Sequence, residues 1–308
     1  AQELGGLCIL RGCMPTKTLL ETAHRLHEIR DAERFGIRVG SVELDFAAQM
    51  ERMRQLVARF QRAKVGSFER ASYELRRASA RFIDPHTLEV EGERITAKAV
   101  VLATGSVVRP FDFECPPGVL LDSDDMFTLR AAPARALVRG SGAVGLEFAQ
   151  WLARVGTQVV LSARGRLFHR RDLEVGAELE TALAEEMTVR TQSAILAIRP
   201  LEAGGVEVDL KLADGSTETH AVDVILNATG RVPNVEALDL GAANLAWDDL
   251  RVGDDMRTSV GHVFVAGDTT GQRQILHEAN LEGRVAGQNA AAVALGQEVS
   301  ARYDTTTP

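Results

Sequence analysis

Two cysteines stand close together near the start of the chain, in the glycine-flanked stretch GGLCILRGCMPTK. Cys8 and Cys13 are five positions apart, so on a regular helix their Cα atoms would lie about 8.6 Å apart. A disulfide requires roughly 4.4–6.8 Å, and the pair can therefore bond only if the turn between them is distorted. Gly12 gives the backbone that freedom, and a strained, accessible disulfide is typically labile and catalytic. Two small buried residues that never bond are an equally open interpretation at this point.

Other chemistry in this segment is less well supported. Zinc needs four ligands, and His24 and His27 lie nearby without completing a zinc-type spacing, so we predict no metal site. A cysteine near a helix N-terminus has its thiolate favoured by the helix dipole. Lys17 at the start of a helix would, taken alone, be a solvated surface residue.

The second segment with a chemical pattern is GSGAVG, which lies between a strand-like run and a helix-like run. Gly140, Gly142 and Gly145 fit G-x-G-x-x-G, in which the glycines make the turn, admit a pyrophosphate and allow close helix–strand packing. In this context the pattern predicts a dinucleotide site. Arg139 departs from the usual sequence around this motif, because it places a charged residue at the end of a strand that should be buried. Glu147 would by default be a surface carboxylate on the helix.

The end of the next strand should indicate which dinucleotide binds. An NAD site usually has an acid there, about 20 residues after the glycines. This sequence instead has Ala163, followed by Arg164, Arg166, Arg170 and Arg171. Cations can contact a 2′-phosphate, so the stretch favours NADP(H) over NAD(H). A solvated basic loop is the alternative.

The overall composition limits the possible classes of protein. With 308 residues, 45% hydrophobic content and a net charge of −8, the chain can form two globular domains, and nucleic acid and anionic membranes are disfavoured as partners. No apolar run is long enough to span a membrane. Three cysteines do not make a secreted disulfide framework, so we expect a cytoplasmic protein. Because the chain starts at Ala1 without Met, we also expect a fragment.

The elements that position these residues alternate between helices and strands. Amphipathic periodicity predicts helices over Thr16–Arg30 and from Phe46 to about Arg77, and turns are expected at Asp84-Pro85 and Glu91-Gly92. Further helices are predicted after the glycine turn, in EVGAELETALAEE, and from about Ile275 to Leu295. The predicted strands are ARFID, TLEV, RITAKAVVLATG, ALV, QVVLS, AILAI, VEVDLKL, VDVILNATG and HVFVAGD. This alternation predicts parallel α/β sheets.

The stretch GGLCILRGCMPTK resembles the redox-active segment of the class I pyridine nucleotide-disulfide oxidoreductases, such as dihydrolipoamide dehydrogenase, mercuric reductase and glutathione reductase. The resemblance implies that Cys8 and Cys13 form a redox-active disulfide, with Cys8 exchanging with the substrate and Cys13 touching the flavin. It also implies that Lys17 lies beside the flavin and is paired with Glu147. These four residues are the predicted catalytic set.

Later segments resemble the same family in the same order, namely VVLATGS, VILNATGRVPN and HVFVAGDTTGQRQILHEAN. The implied cofactors are FAD and NADP(H), the latter preferred over NAD(H). Arg164 and Arg170 match the two arginines of NADPH-using relatives, and Ala143 stands where some relatives have a gating tyrosine. The residues predicted to bind FAD are Lys17, Ala80, Thr104, Gly105, Asp268 and Leu276; those predicted to bind NAD(P) are Gly140, Gly142, Ala143, Val144, Gly145, Glu147, Ala163, Arg164, Arg170 and Gly230.

The implied fold class is α/β with two Rossmann-like domains. Residues 1–109 and 233–308 are predicted to form the FAD-binding domain, and residues 110–232 the NAD(P)-binding domain. In this interpretation the FAD domain is incomplete, because the family's first βαβ unit would precede Ala1. The family's C-terminal dimerisation domain would follow Pro308 and is expected to be absent from this chain, since no histidine here stands in the family's H-P-x-x-x-E segment.

The implied function is FAD-dependent NAD(P)H:disulfide oxidoreduction. Electrons would pass from the nicotinamide through FAD to Cys8–Cys13, and on to a small-molecule or protein-bound disulfide or dithiol, as in dihydrolipoamide dehydrogenase or mercuric reductase. Full-length members of the family are homodimers. The alternative is an inactive nucleotide-binding fragment of such an enzyme.

Overall fold

The computed structural model describes residues 3–168 and 172–304. Within these ranges each predicted α-helix is present, and one further short helix, Leu7–Arg11, was not predicted. The helices are α1 (Leu7–Arg11), α2 (Cys13–Asp31), α3 (Phe46–Glu69), α4 (Ala143–Arg154), α5 (Leu173–Ala184) and α6 (Leu276–Ala294).

The strands are short, and each predicted segment overlaps at least one of them. They are β1 (Ala80–Asp84), β2 (Thr87–Val90), β3 (Glu93–Thr96), β4 (Val100–Leu102), β5 (Ser106–Val108), β6 (Leu120–Leu121), β7 (Arg135–Arg139), β8 (Gln158–Ser162), β9 (Thr188–Arg190), β10 (Ala194–Pro200), β11 (Val206–Lys211), β12 (Thr217–Val222), β13 (Val224–Asn227), β14 (Arg231–Pro233) and β15 (Val263–Val265).

Several elements differ from the sequence-based expectation. Helix α3 ends at Glu69 rather than near Arg77, because its apolar stripe loses its partners: Met50 and Met53 are buried, whereas Phe60 is 41% exposed. Strands β5, β6, β9 and β14 were not predicted, because each has only two or three residues. Strand β12 was not predicted either, because its sequence TETHAV is mostly polar. Pairing with β11 forms it.

The chain divides into two compact units. The larger unit comprises Gly5–Glu69 and Val108–Gly230. The smaller unit comprises Ala1–Leu4, Arg70–Val107 and Arg231–Pro308.

A parallel sheet of the order β6-β13-β7-β8-β9 forms the centre of the larger unit. The chain runs outward from β7 through β8 to β9 and then returns to the other side of β7 at β13. Ligands of doubly wound sheets bind beyond the carboxyl ends of the strands at this point of reversal. Gly140 follows β7 there, and Ala228 follows β13. Strands β10, β11 and β12 form a separate antiparallel sheet.

Helix α4 shares one apolar core with α2 and α3. Phe148 and Trp151 of α4 are buried together with Leu19 of α2 and Met50 of α3. Residues 5–69 therefore group with residues 108–230. The predicted range 1–109 had grouped them with residues 70–107 instead. The predicted limits near 109 and 232 do lie close to the changes of unit at 107/108 and 230/231. The assignment of these ranges to FAD and NAD(P) stays a prediction.

The smaller unit contains the parallel pair β4–β15 and the antiparallel sheet β1-β2-β3. Helix α6 packs against the parallel pair, and Phe82, Phe264 and Ala286 lie in the core of the unit. Glu91 and Gly92, between β2 and β3, have φ angles of 51° and 84°, the left-handed geometry of a tight hairpin turn. The predicted turn at this position is confirmed. No helix in the described part of the chain is long and apolar enough to cross a membrane.

Replacement of Leu19 by Ala tests the shared core of α2 and α4. Leu19 is 1% exposed in that core, so we expect Leu19→Ala to lower the free energy of unfolding by about 2–5 kcal/mol. Leu173→Ala on α5 is the matched control, since Leu173 is 59% exposed and its loss should cost less than about 0.5 kcal/mol. Urea denaturation of both variants measures the difference. Equal effects would contradict the packing of α2 in this core.

Candidate functional site

The two cysteines lie on separate helices that meet at Gly12. Cys8 is half-buried within α1, and Cys13 is the exposed first residue of α2. A Cβ atom on Gly12 would lie 3.0 Å from the carbonyl oxygen of Leu7 and 3.1 Å from the Cα atom of Cys8. The bend between the helices thus leaves little room for a side chain at this position. Both cysteines are free thiols in this structure, so the disulfide that the resemblance implies stays a prediction.

The thiol of Cys8 is held in its protonated form. The pKa of Cys8 is raised to about 11, chiefly by burial, and the hydrogen bond to the Cys13 side chain and the negative charge of the Cys13 thiolate act in the same direction. The backbone N–H groups of Cys13 and Met14 lower this pKa because they donate to the Cys8 sulfur. These two groups are among the N–H groups that the start of α2 leaves without a helical acceptor. Cys8 therefore lies over the N-terminus of α2, but its burial outweighs the favourable field.

Lys17 of α2 forms an ion pair with Glu147 of α4, as predicted. The Lys17 side chain is 59% exposed and that of Glu147 is 29% exposed. Thr16, the residue before Lys17, is buried and donates a 2.7 Å hydrogen bond from Oγ1 to the carbonyl oxygen of Gly12, which ties the first turn of α2 to the bend. Helix α2 thereby connects Cys8 on α1, across the Gly12 bend, with Glu147 on α4.

The glycine turn has the backbone that a dinucleotide needs. Gly140 has a φ of +118°, and a Cβ atom there would lie 2.1 Å from the carbonyl oxygen of Ala228. A Cβ atom on Gly145 would lie 2.0 Å from the carbonyl oxygen of Gly140. Gly142 differs, because nothing lies within 4 Å of its Cβ position. The first and third glycines are thus required by the fold itself, whereas the second leaves open space at the N-terminus of α4.

Ala143, Val144 and Gly145 form the first turn of α4, and no side chain caps their N–H groups. Helix N-termini of this kind bind phosphate through their free N–H groups and the helix dipole. The turn therefore fits a pyrophosphate.

The neighbouring strand ends carry the remaining residues predicted for NAD(P). Ala163 follows β8 and is buried, and Arg164 is exposed. Gly230 closes the larger unit, where its carbonyl oxygen accepts a 3.0 Å hydrogen bond from the N–H of Arg109. Arg170 lies outside the described residues.

Arg139, the residue out of keeping with the sequence pattern, is buried. Its side chain extends toward β8 and donates hydrogen bonds from Nη1 to Ser162 Oγ and to the Ser193 carbonyl oxygen, at 2.6 and 3.0 Å. Burial lowers the pKa of Arg139, and the nearby charge of Arg164 lowers it further. The sequence already marks Arg139 as unusual, because an arginine there ends a strand directly before the glycine turn.

Several residues predicted for FAD meet in the smaller unit. The N–H of Gly105 donates a 2.8 Å hydrogen bond to Thr269 Oγ1, next to Asp268. Ser106 Oγ donates to Asp268 Oδ2 at 2.7 Å and accepts from Arg231 Nε at 2.8 Å. Ser106 and Arg231 were not predicted, although both fall within segments that resemble the family.

The other FAD residues lie on different elements of this unit. Thr104 Oγ1 lies 3.5 Å from Thr269 Oγ1, and Leu276 begins α6 with its side chain 48% exposed. Ala80 begins β1 of the antiparallel sheet.

A comparison with protein families places these features in a known context. A model described as pyridine nucleotide-disulphide oxidoreductase matches residues 2–283. The chain belongs to this family. Among curated members, the chain is 35% identical to the dihydrolipoyl dehydrogenase of Thermus scotoductus, over 94% of this chain and 64% of that protein. It is 29% identical to the mercuric reductase of Lysinibacillus sphaericus, over 93% of this chain and 54% of that protein.

A solved structure of the family has the same fold. The chain matches the HOCl-induced flavoprotein disulfide reductase RclA from Escherichia coli with a TM-score of 0.78 and 24% identity, over 96% of this chain and 64% of that one. The predicted α/β fold class and family are confirmed. The chain spans about two thirds or less of the length of these relatives.

The pH dependence of alkylation tests the state of Cys8. Because its pKa is raised to about 11, we expect the rate of Cys8 alkylation by iodoacetamide to rise steadily between about pH 7 and 10 without a plateau. Trypsin separates Cys8 from Cys13 at Arg11, so mass spectrometry can follow each thiol. Cys13→Ala should move the Cys8 profile to lower pH, since one cause of the shift is removed and burial remains. A plateau below about pH 9 in the unaltered chain would contradict this environment.

Two alanine substitutions separate the structural from the binding glycine. Gly145→Ala should destabilise the larger unit, because the new methyl group meets the backbone of Gly140. Gly142→Ala should melt as the unaltered chain does, since its methyl group meets nothing, yet bind NADPH at least about tenfold more weakly because that space is needed by the pyrophosphate. Circular dichroism and fluorescence titration measure the two effects. Unchanged NADPH binding by Gly142→Ala would remove this turn from the dinucleotide site.

Proposed function

We propose that this chain is the part of an FAD-dependent NAD(P)H:disulfide oxidoreductase that carries the reactive cysteines and the dinucleotide site. The observation that carries the proposal is that Cys8, Cys13 and the Lys17–Glu147 ion pair share one structural unit with the glycine turn. A disulfide or dithiol is the proposed substrate class, as the names of the dihydrolipoyl dehydrogenase and RclA relatives suggest.

The residues present fit the two nucleotides. The open Cβ position of Gly142 and the uncapped N-terminus of α4 suit the pyrophosphate of NAD(P)H. Within the smaller unit, Thr104, Gly105, Asp268 and the start of α6 at Leu276 would hold FAD. Bound FAD would supply a two-electron carrier between the nicotinamide and the cysteine pair.

The cysteines perform the exchange with the substrate. In the dithiol form, the Cys8 thiolate attacks one sulfur of a substrate disulfide, which forms a mixed disulfide and releases one substrate thiol. The Cys13 thiolate then attacks the Cys8 sulfur, so that the second substrate thiol leaves and a Cys8–Cys13 disulfide remains. Because the pKa of Cys8 is raised to about 11, the first step requires a base that removes its proton.

Lys17 and Glu147 have a supporting role in this proposal. Lys17 lies on α2, the helix that begins with Cys13, and the carboxylate of Glu147 orients the ammonium group of Lys17. An ion pair this exposed adds only about 0–1 kcal/mol to stability, so its value lies in orienting the lysine.

We further propose that NADP(H) is preferred over NAD(H). Ala163 offers no carboxylate to a ribose hydroxyl, and the exposed Arg164 next to it can contact a 2′-phosphate. Both residues follow β8 at the edge where the dinucleotide would lie.

A second candidate is dinucleotide binding without turnover. It is favoured by the contrast between the units, since the larger has a five-stranded parallel sheet, whereas among the described residues the parallel sheet of the smaller consists of β4 and β15. A chain of this kind would bind NADPH but not FAD.

Serine substitutions test the proposal. The purified chain should bind FAD and develop long-wavelength charge-transfer absorbance on reduction. Cys8→Ser should keep this band, and both Cys8→Ser and Cys13→Ser should lower disulfide reduction by at least about a thousandfold. Cys115→Ser is the control, because Cys115 lies next to Phe113 and outside the segment that contains Cys8 and Cys13. The activity of this variant should stay within about twofold of that of the unaltered chain.

The outcomes separate the two candidates. A chain that binds NADPH and remains colourless with added FAD supports the binding-only candidate. Loss of the band in Cys8→Ser instead of Cys13→Ser would reverse the assigned roles of the cysteines.

A further inference from the structure

A buried arginine lies directly beside the glycine turn. Arg139 is the last residue of β7, immediately before Gly140, and only 7% of it is exposed. Arginine is rarely buried to this degree unless a carboxylate neutralises it. The hydrogen-bond partners of Arg139 are Ser162 Oγ and the Ser193 carbonyl oxygen, and neither carries a formal charge.

The surrounding charges compensate the cation only in small part. Burial is the largest effect on the pKa of Arg139 and lowers it, and the charge of Arg164 lowers it further. The charge of the exposed Asp112 acts in the opposite direction and raises this pKa. Both hydrogen bonds come from one nitrogen, Nη1, so these acceptors do not use the other donors of the guanidinium. A charge kept in such a place is costly, and a ligand of opposite charge would offset that cost.

The guanidinium is tied to the strand end where the nucleotide specificity is decided. Arg139 is in register with Ser162, the last residue of β8, and Ala163 and Arg164 follow directly. Ser162 Oγ lies 2.9 Å from Ser193 Oγ. The N–H of Ser193 in turn donates to the Ala163 carbonyl oxygen at 2.8 Å. The buried charge is thus connected to both sides of Ala163 by short hydrogen bonds.

We propose that Arg139 is a specificity-determining residue, which together with Arg164 makes the end of β8 a receptor for a phosphate monoester on the adenosine ribose. This inference rests on the proposed dinucleotide site and deepens it. Arg164 is exposed, and water and salt screen its charge. Arg139 is buried, so its field reaches the ribose position with less screening. A dianionic 2′-phosphate gains from this field, and a neutral 2′-hydroxyl does not.

A purely structural role for Arg139 makes a different prediction. If Arg139 served only to connect Ser162 and Ser193 by hydrogen bonds, its loss would distort the end of β8 and weaken the binding of all adenosine ligands alike. If it acts through its charge, only the ligand with the additional phosphate loses affinity. Two probes that differ by that phosphate therefore distinguish the roles.

The test is calorimetric titration of the whole chain with 5′-AMP and with adenosine 2′,5′-bisphosphate, neither of which requires FAD or turnover. The unaltered chain should prefer the bisphosphate. Arg139→Met should reduce this preference about tenfold and leave the affinity for 5′-AMP unchanged. Arg135→Met, at the opposite end of β7 and paired with Asp223, removes the same charge and should leave the preference intact.

A second variant addresses the case in which Arg139→Met does not fold. Ser162→Asp introduces a carboxylate where Oγ now lies 2.6 Å from Nη1, and so neutralises the guanidinium in place. The same loss of preference is expected. An unchanged preference in the folded variant, or an equal loss for both probes, overturns the inference.

The results also separate this inference from the proposed function. Equal binding of both probes by the unaltered chain contradicts the proposed NADP(H) preference and the inference with it. A preference that Arg164→Ala abolishes and Arg139→Met leaves unchanged contradicts the inference alone.

Discussion

The apolar contact between α2 and α4 is the constraint on which the larger unit depends. Leu19 and Ala23 of α2 are buried in one core with Phe148 and Trp151 of α4, so the helix that begins with Cys13 and the helix that begins at the glycine turn cannot move independently. Helix packing of this kind is much stronger than the exposed Lys17–Glu147 pair on its border. The core therefore sets the geometry, and the ion pair is formed because the two helices are already in place.

The sequence was most informative where a local requirement excludes all other residues. Gly140 and Gly145 are both required by close backbone contacts, so the motif predicts the turn and the helix after it. Amphipathic stripes likewise predict α2 and α4 to within a few residues. The pairing of Lys17 with Glu147, 130 positions apart, came from resemblance to a family, because no periodicity connects such distant residues.

Features that depend on tertiary contacts could not be predicted. The end of α3 is set by where its stripe runs out of partners, and the grouping of residues 5–69 with 108–230 is set by which core they enter. Arg139 stood out in the sequence as misplaced. The acceptors of its hydrogen bonds could not be predicted, because Ser162 ends β8 and Ser193 lies between β9 and β10, and only the fold brings both to Arg139. The Ser106–Asp268 contact joins positions 162 residues apart and has the same origin.

The division of the cysteines between two helices has a consequence for how such a protein can diversify. Helix α1 has 5 residues and α2 has 19, and Gly12 is the joint between them. Mutations within Leu7–Arg11 alter the surroundings of Cys8 without unwinding the helix that carries Cys13 and Lys17. Natural variation can thus change the environment of the half-buried Cys8 sulfur while the helix that carries the exposed Cys13 and Lys17 keeps its structure.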